Sequence, residues 1–164
     1  TIMKEDKFEF SYEVYNDIHE LAKEDADLLK EARLVTQGAY APYSNFFVGA
    51  VAKLKNGAIV RGTNQENASY PVGICAERVL LGSTATLYPG IAIDTIAVSY
   101  HNNNNNESKE PISPCGMCRQ SLLEYETRTN HSIRLILGGQ EGKIYVIKTV
   151  KSLLPFAFTG NGLK

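Results

Sequence analysis

Four residues of this chain have the types and spacing that do chemistry: Cys75, Glu77, Cys115 and Cys118. Cys115-Gly116-Met117-Cys118 is a C-x-x-C. Residues three apart share one face of a helix, so the two sulfurs suit one metal ion or a redox disulfide. Pro114 directly precedes the pair, and proline is tolerated at a helix start. A helix N-terminus also favours thiolates through its free N–H groups and its dipole. Cys75 begins a second predicted helix and supplies a third sulfur. Three protein ligands leave Zn²⁺ an open position, which is the catalytic rather than the structural arrangement. Water in that position becomes acidic enough to act as a nucleophile. His19, His101 and His131 lack the close spacing to the thiols that a fourth ligand would need.

Glu77 follows Cys75 by two residues. That offset sets a carboxylate beside the metal without ligating it, where it can take a proton from water and pass it to a leaving amine. Three thiolates would leave the zinc site net negative and blunt its Lewis acidity. Arg78, three residues after Cys75, can offset this by hydrogen-bonding sulfur, and the two helix N-termini act in the same direction.

The elements that must position these groups follow from periodicity. Phe8, Phe10, Tyr12 and Val14 alternate with polar residues, which predicts an extra N-terminal strand or a subunit-contact arm. Ala26, Leu28, Leu29, Ala32, Val35 and Ala39 recur at helical spacing over Asp25–Ala39. Val48–Leu54 and Ile59–Gly62 flank Asn56-Gly57, a β-hairpin signal. Helices are predicted over Cys75–Leu87 and Cys115–Glu124. Strands are predicted over Asp94–Tyr100, Ile133–Leu137 and Lys143–Lys148. Strands alternating with helices imply an α/β sandwich around a mixed sheet. The polar run from His101 to Glu110 reads as a mobile loop.

The bulk numbers set limits. At 164 residues, with 43% hydrophobic and 21% charged, the chain suits a single globular domain over 1–164. A net charge of -1 argues against a grip on long nucleic acid. Three cysteines cannot all pair internally, so a reduced compartment fits better than a disulfide scaffold. No apolar run is long enough to span a bilayer, and Thr1–Lys7 lacks a signal-peptide core, so a cytoplasmic location is expected.

Cys75-Ala76-Glu77 with Pro114-Cys115-Gly116-Met117-Cys118 matches the [H/C]-x-E…P-C-x-x-C pattern of zinc deaminases. The likeness is wider than the motif. Ala41–Ala50, Gly62–Arg78 and Ile112–Gln120 resemble the small homotetrameric cytidine deaminases, and the resemblance runs from about Asp25 to Phe158. Cysteine in the first ligand position also marks that branch. The resemblance implies a three-layer α/β/α sandwich around a mixed five-stranded sheet, with residues 1–24 as an N-terminal extension. It implies one Zn²⁺ per subunit, held by Cys75, Cys115 and Cys118, and a homotetramer with sites at subunit interfaces. It implies that Asn64 and Glu66 bind the ribose, Glu66 at its 3′-hydroxyl, and that Phe46 lines the pyrimidine pocket. The carbonyl of Ala76 would meet the cytosine amino group, and Glu77 would contact ring N3. Phe158 would reach a neighbouring subunit's site, with Tyr43 and Tyr70 at the interface around it. The substrate would be cytidine or 2′-deoxycytidine, in pyrimidine salvage. Another aminopyrimidine, such as a nucleoside antibiotic of the blasticidin type, is the rival substrate. Glu77 argues against a zinc module without catalysis, and the absence of Lys/Arg clusters near the motifs argues against nucleic-acid editing.

Overall fold

The structure is a computed structural model, and it describes residues 3–163. Six strands form one mixed sheet: β1 (Glu13–Tyr15), β2 (Phe46–Leu54), β3 (Ile59–Thr63), β4 (Ile93–Asn102), β5 (Arg134–Gly138) and β6 (Ile144–Ile147). Their spatial order is β1-β6-β5-β4-β2-β3. Among these six strands of the described residues only β4 and β5 pair in parallel. A parallel pair needs a crossover, and helix α3 (Gly116–Arg128) supplies it.

Helix α1 (Lys23–Val35) covers one face of the sheet. Its Ala26, Leu28, Leu29 and Ala32 pack on Val51, Ala97, Ile136, Ile144 and Val146. Helices α2 (Ala76–Leu87) and α3 cover the other face. There Leu80, Leu81, Leu122 and Tyr125 pack on Ala50, Ala52, Ile96, Val98, Leu135 and Leu137. The alternation of β2 and β4 between these two clusters is the period-2 rule of a strand buried on both faces. The three-layer sandwich expected from the sequence is therefore present, with the extra strand β1 added at one edge.

Element ends differ from the sequence reading for local reasons. The first helix stops at Val35 rather than Ala39, because Thr36–Gly38 tightens into a 3₁₀ turn. The Thr36 hydroxyl bonds the Arg33 carbonyl at 2.7 Å, which closes the last turn. The third helix runs on to Arg128, four residues past the predicted end at Glu124. The N-terminal strand shrinks to Glu13–Tyr15. Glu13 already sits opposite Val146, and β6 ends one residue later at Ile147, so Phe8, Phe10 and Tyr12 have almost no partner left. Their rings instead form an exposed ladder that ends on Tyr145, with the Tyr12 and Tyr145 centroids 5.1 Å apart.

The Asn-rich segment starts inside β4, which extends to Asn102. Its amide side chains bond nearby backbone: Asn104 N–H donates to Asn102 Oδ1 and Glu107 N–H to Asn105 Oδ1. Two bonds tie the turn to the 41–46 loop. Asn104 Nδ2 donates to the Ser44 carbonyl at 2.8 Å, and Asn103 N–H donates to the Asn45 carbonyl at 3.0 Å.

Helix α2 lies directly on β3. A Cβ built at Gly62 would fall 2.5 Å from the Ala76 carbonyl oxygen and 2.5 Å from the Leu80 nitrogen. Both are backbone atoms, so a side chain there must push the helix off the sheet. Overpacking of this kind costs about 1–3 kcal/mol. In a chain of this size G62A should lower the melting temperature by roughly 3–10 °C. Gly82, on the open side of the same helix, has nothing within 4 Å of a built Cβ, so G82A serves as the control. Equal melting temperatures for G62A and G82A would refute the close approach.

Candidate active site

Cys75 caps α2 and Cys115 caps α3, both with extended backbone and neither with a side-chain capping bond. Their carbonyls take the first helical N–H groups, Arg78 N–H at 3.1 Å and Arg119 N–H at 2.9 Å. Their sulfurs are thus free to turn toward each other. Cys75 Sγ lies 3.8 Å from Cys115 Sγ, and Cys115 Sγ lies 3.4 Å from Cys118 Sγ. All three sulfurs lie within 4.8 Å of one another. A tetrahedral zinc site with bonds of about 2.3 Å has ligand–ligand edges of about 3.8 Å. The cluster therefore has the size and donor chemistry of a zinc site.

The electrostatics agree. The Cys75 thiol is lowered to about 6, first by its hydrogen bond with Cys118, against desolvation, and then by Cys115; the Arg78 charge adds a smaller pull. The Cys118 thiol is pushed strongly up by the same bond with Cys75, by burial and by the Glu77 charge. The cluster releases one proton readily and holds the next. A divalent cation reverses that preference, because it stabilises every thiolate at once.

Glu77 stands in the first turn of α2 and is only 6% exposed. Burial pushes its carboxyl above the ordinary range, while its own N–H and the Cys118 thiol pull the other way. A carboxyl tuned upward by burial can hold and release a proton near neutral pH.

Beside the sulfurs opens a cleft of about 470 Å³, lined by Tyr43, Ser44, Asn64, Glu66, Tyr70, Ile74, Cys75 and Met117 among others. Glu66 ties down the loop that forms its mouth. Its Oε2 accepts the N–H groups of Tyr43 at 2.9 Å and Ser44 at 3.2 Å, and its Oε1 accepts the Ser44 hydroxyl. Desolvation is the largest single influence and works to raise the Glu66 carboxyl, but these three bonds together outweigh it and hold the group below its usual range. Asn64 clamps the start of β2: Oδ1 accepts Val48 N–H at 2.7 Å and Nδ2 donates to the Phe46 carbonyl at 2.9 Å.

The other sequence-predicted residues are placed as follows. Tyr43 and Tyr70 line the cleft and are exposed, Tyr70 at 91%. The Phe46 ring stacks flat on Tyr100, centroids 5.0 Å apart, and is not among the cleft's lining residues; its backbone joins the cleft through Asn64 and Ser44. Ala76 is fully buried, with its carbonyl pressed against Gly62. Phe158 is exposed, and its carbonyl accepts Gln120 Nε2 at 3.0 Å. The Arg78 guanidinium makes no hydrogen bond to sulfur and lines a groove between α2 and α3 instead. It acts on Cys75 through space.

Sequence reasoning passed over three contributors. Ser44 bridges Glu66 and the Phe46 N–H. Asn104 holds the Ser44 carbonyl. Arg119 fixes the approach to Cys115, with Nε on the Pro114 carbonyl at 2.8 Å and a terminal nitrogen on the Leu153 carbonyl at 3.2 Å. Only Arg119, next to the last cysteine, carried a signal in its position.

Residues 22–131 match the family described as the cytidine and deoxycytidylate deaminase zinc-binding region. The chain is 40% identical over 136 residues to a cytidine deaminase of Halalkalibacterium halodurans, covering 83% of this chain and 95% of that protein. It is 34% identical over 137 residues to a cytidine deaminase of Sporosarcina psychrophila, covering 83% and 92%. Among solved structures, a cytidine deaminase from Burkholderia pseudomallei superposes with a TM-score of 0.70 at 35% identity, covering 84% of this chain and all of that one. The sandwich, the three-sulfur cluster and the buried carboxylate define a zinc-dependent hydrolytic deaminase. The chain belongs to the cytidine and deoxycytidylate deaminase family.

Cys115 is exposed, so C115S removes a sulfur ligand without opening a cavity. The wild-type chain should carry a single zinc ion through gel filtration, and C115S should lose most of it while keeping its circular dichroism spectrum. Equal zinc content by metal analysis would remove Cys115 from the ligand set.

Proposed function

We propose that the chain hydrolyses cytidine and 2′-deoxycytidine to uridine and 2′-deoxyuridine with release of ammonia. One observation carries this reading: a buried carboxyl, Glu77, meets the Cys118 thiol of three clustered sulfurs, and Cys75 of that cluster lines a nucleoside-sized cleft.

Cys75, Cys115 and Cys118 would hold Zn²⁺, which would supply the Lewis acid that makes water a nucleophile near neutral pH. Glu77 would take one proton from the attacking water and deliver it to ring N3 as the water oxygen bonds C4. It would then move the second proton of that water to the amino nitrogen and the C4–N bond would break, so water and cytidine leave as uridine and ammonia. Its burial supports this double role, since a carboxyl held above its ordinary range both accepts and donates readily.

Glu66 and Asn64 position the sugar. An ionised carboxylate offers about four lone-pair sites, and three on Glu66 are taken by Tyr43 and Ser44. One acceptor on Oε1 is left for a single ribose hydroxyl. The Asn64 amide likewise spends one donor and one acceptor on β2 and keeps one of each. Phe46 contributes to the pyrimidine pocket once substrate is bound, and the Ala76 carbonyl receives the amino group. Arg78 moderates the charge on the thiolates.

The assembly is a homotetramer in which Phe158, with Tyr43 and Tyr70 around it, completes a neighbour's cleft. The exposure of all three rings supports this. The enzyme is cytoplasmic and serves pyrimidine salvage; among the described residues no helix is long and apolar enough to cross a membrane. A blasticidin-S deaminase of Bacillus cereus is 31% identical over 116 residues. The remaining Glu66 acceptor favours a free ribose hydroxyl over that substrate class.

The loss of absorbance as cytidine is converted reads the activity directly. E77A should retain zinc and lose turnover by about a thousandfold. A zinc-loaded wild type inert toward both nucleosides would end the substrate assignment. N104A releases one hydrogen bond on the Ser44 carbonyl, a loss of about 0.5–1.5 kcal/mol in loop positioning. KM for cytidine should rise roughly two- to tenfold at unchanged kcat. A fall in kcat with KM constant would contradict a role confined to the binding loop.

A further inference from the structure

The sheet has a second polar cavity, on the α1 face and away from the sulfurs. It measures about 410 Å³ and is lined by Arg33, Thr36, Gln37, Phe47, His101, Asn103 and Gln140. Phe47 and His101 face each other across β2 and β4. Phe47 shares the strand parity of Gly49 and Val51, which look toward α1, whereas Phe46 shares that of Val48 and Ala50, which look toward α2 and α3.

The lining is rich in donors and holds no carboxylate. Arg33 is partly buried and spends only Nε within the protein, on the Gly139 carbonyl at 2.8 Å. No acid lies within ion-pair distance of it among the described residues. Asp17 and Glu141 reach it only through space, and neither lines the cavity. The α1 C-terminus next to it would ordinarily repel an anion. Of those end carbonyls, that of Arg33 is already taken by the Thr36 hydroxyl at 2.7 Å and Gln140 Nε2 at 3.5 Å. The rest of the Arg33 fork faces a space with Gln37, His101 and Asn103, whose side chains make no hydrogen bond in the structure.

A partly desolvated guanidinium with free fork donors is the chemistry that binds phosphate oxygens. The cavity is larger than phosphate alone needs. Phe47 offers an apolar ring and the amides of Gln37 and Asn103 offer paired donors and acceptors, which suit a ring system attached to the phosphate. We propose that this cavity is a binding site for a phosphate monoester carrying an organic group, with the phosphate on Arg33 and the organic part against Phe47. It is separate from the catalytic cleft and does not depend on the reaction assigned to it.

Calorimetry on the zinc-loaded protein tests this with adenosine 5′-monophosphate, adenosine and inorganic phosphate as probes. Uridine is present at saturation so that the catalytic cleft is filled. The monophosphate should bind at sub-millimolar concentration, and each of the other two at least about tenfold more weakly. Q37E places a negative charge at an exposed lining position that makes no internal bond, so it should fold normally and weaken the monophosphate by about tenfold or more. R33K, which keeps the charge and loses the fork, should weaken it similarly, while K151Q, an exposed lysine in the turn that packs on α3, should leave it unchanged. Absence of monophosphate binding, equal binding of adenosine, or full binding by both Q37E and R33K would overturn the proposal.

Discussion

Three sulfurs packed within 4.8 Å are the constraint around which this protein is arranged. Left to themselves they resist ionising together, as the opposite displacements of Cys75 and Cys118 show. The fold must therefore hold them close without relying on their own attraction. It does so through direction of chain travel. β3 and β4 are both antiparallel to β2, so they run the same way, and the helices that follow them both start at the same end of the sheet. Two helix N-termini converge there, each with a cysteine as its cap. Their unpaired N–H groups favour negative charge on the sulfurs and on Glu77, which sits in the first turn of α2.

Convergence demands close approach, and close approach is fixed by small residues and by Arg119. Gly62 lets the first turn of α2 touch β3 backbone to backbone. Arg119 binds the carbonyls before and beyond α3, which sets the entry of the chain into Cys115. The cleft beside the sulfurs is built differently. Apolar packing holds only the ends of the 41–46 loop, through buried Ala41 and the Phe46–Tyr100 stack; between them Glu66, Ser44, Asn64 and Asn104 hold it through a chain of hydrogen bonds. A loop held this way keeps its shape while its remaining donors and acceptors stay free for a ligand.

What the sequence disclosed follows the range of the physics involved. The cysteine spacing and the offset of Glu77 are local properties of helix starts, so both were legible. The hairpin, the helices and the buried strands were legible because periodicity of 2 or 3.6 acts over a few residues. The extent of the N-terminal strand was not, because it is set by where β6 ends, some 130 residues away. Ser44 and Asn104 were invisible for the same reason. Asn104 lies in a run of five asparagines, and only the fold selects which amide meets the Ser44 carbonyl 60 residues earlier. The expectation that Asn64, Glu66 and Phe46 contact ribose and base rests on family resemblance, since nothing in their spacing separates a ligand contact from a turn residue.

Phe46 and Phe47 show why neighbouring residues of one type take different roles. A strand sends successive side chains to opposite faces. Phe46 therefore stacks on Tyr100 on the side of the sulfurs, and Phe47 enters the cavity beside Arg33. Both cavities rest on the same strand pair, β2 and β4, and on the same turn, where Asn103 lines one cavity and Asn104 holds the loop of the other. Within that turn Asn102 and Asn105 take local backbone N–H groups, Asn104 reaches back to the Ser44 carbonyl, and Asn103 is left to line the cavity beside Arg33.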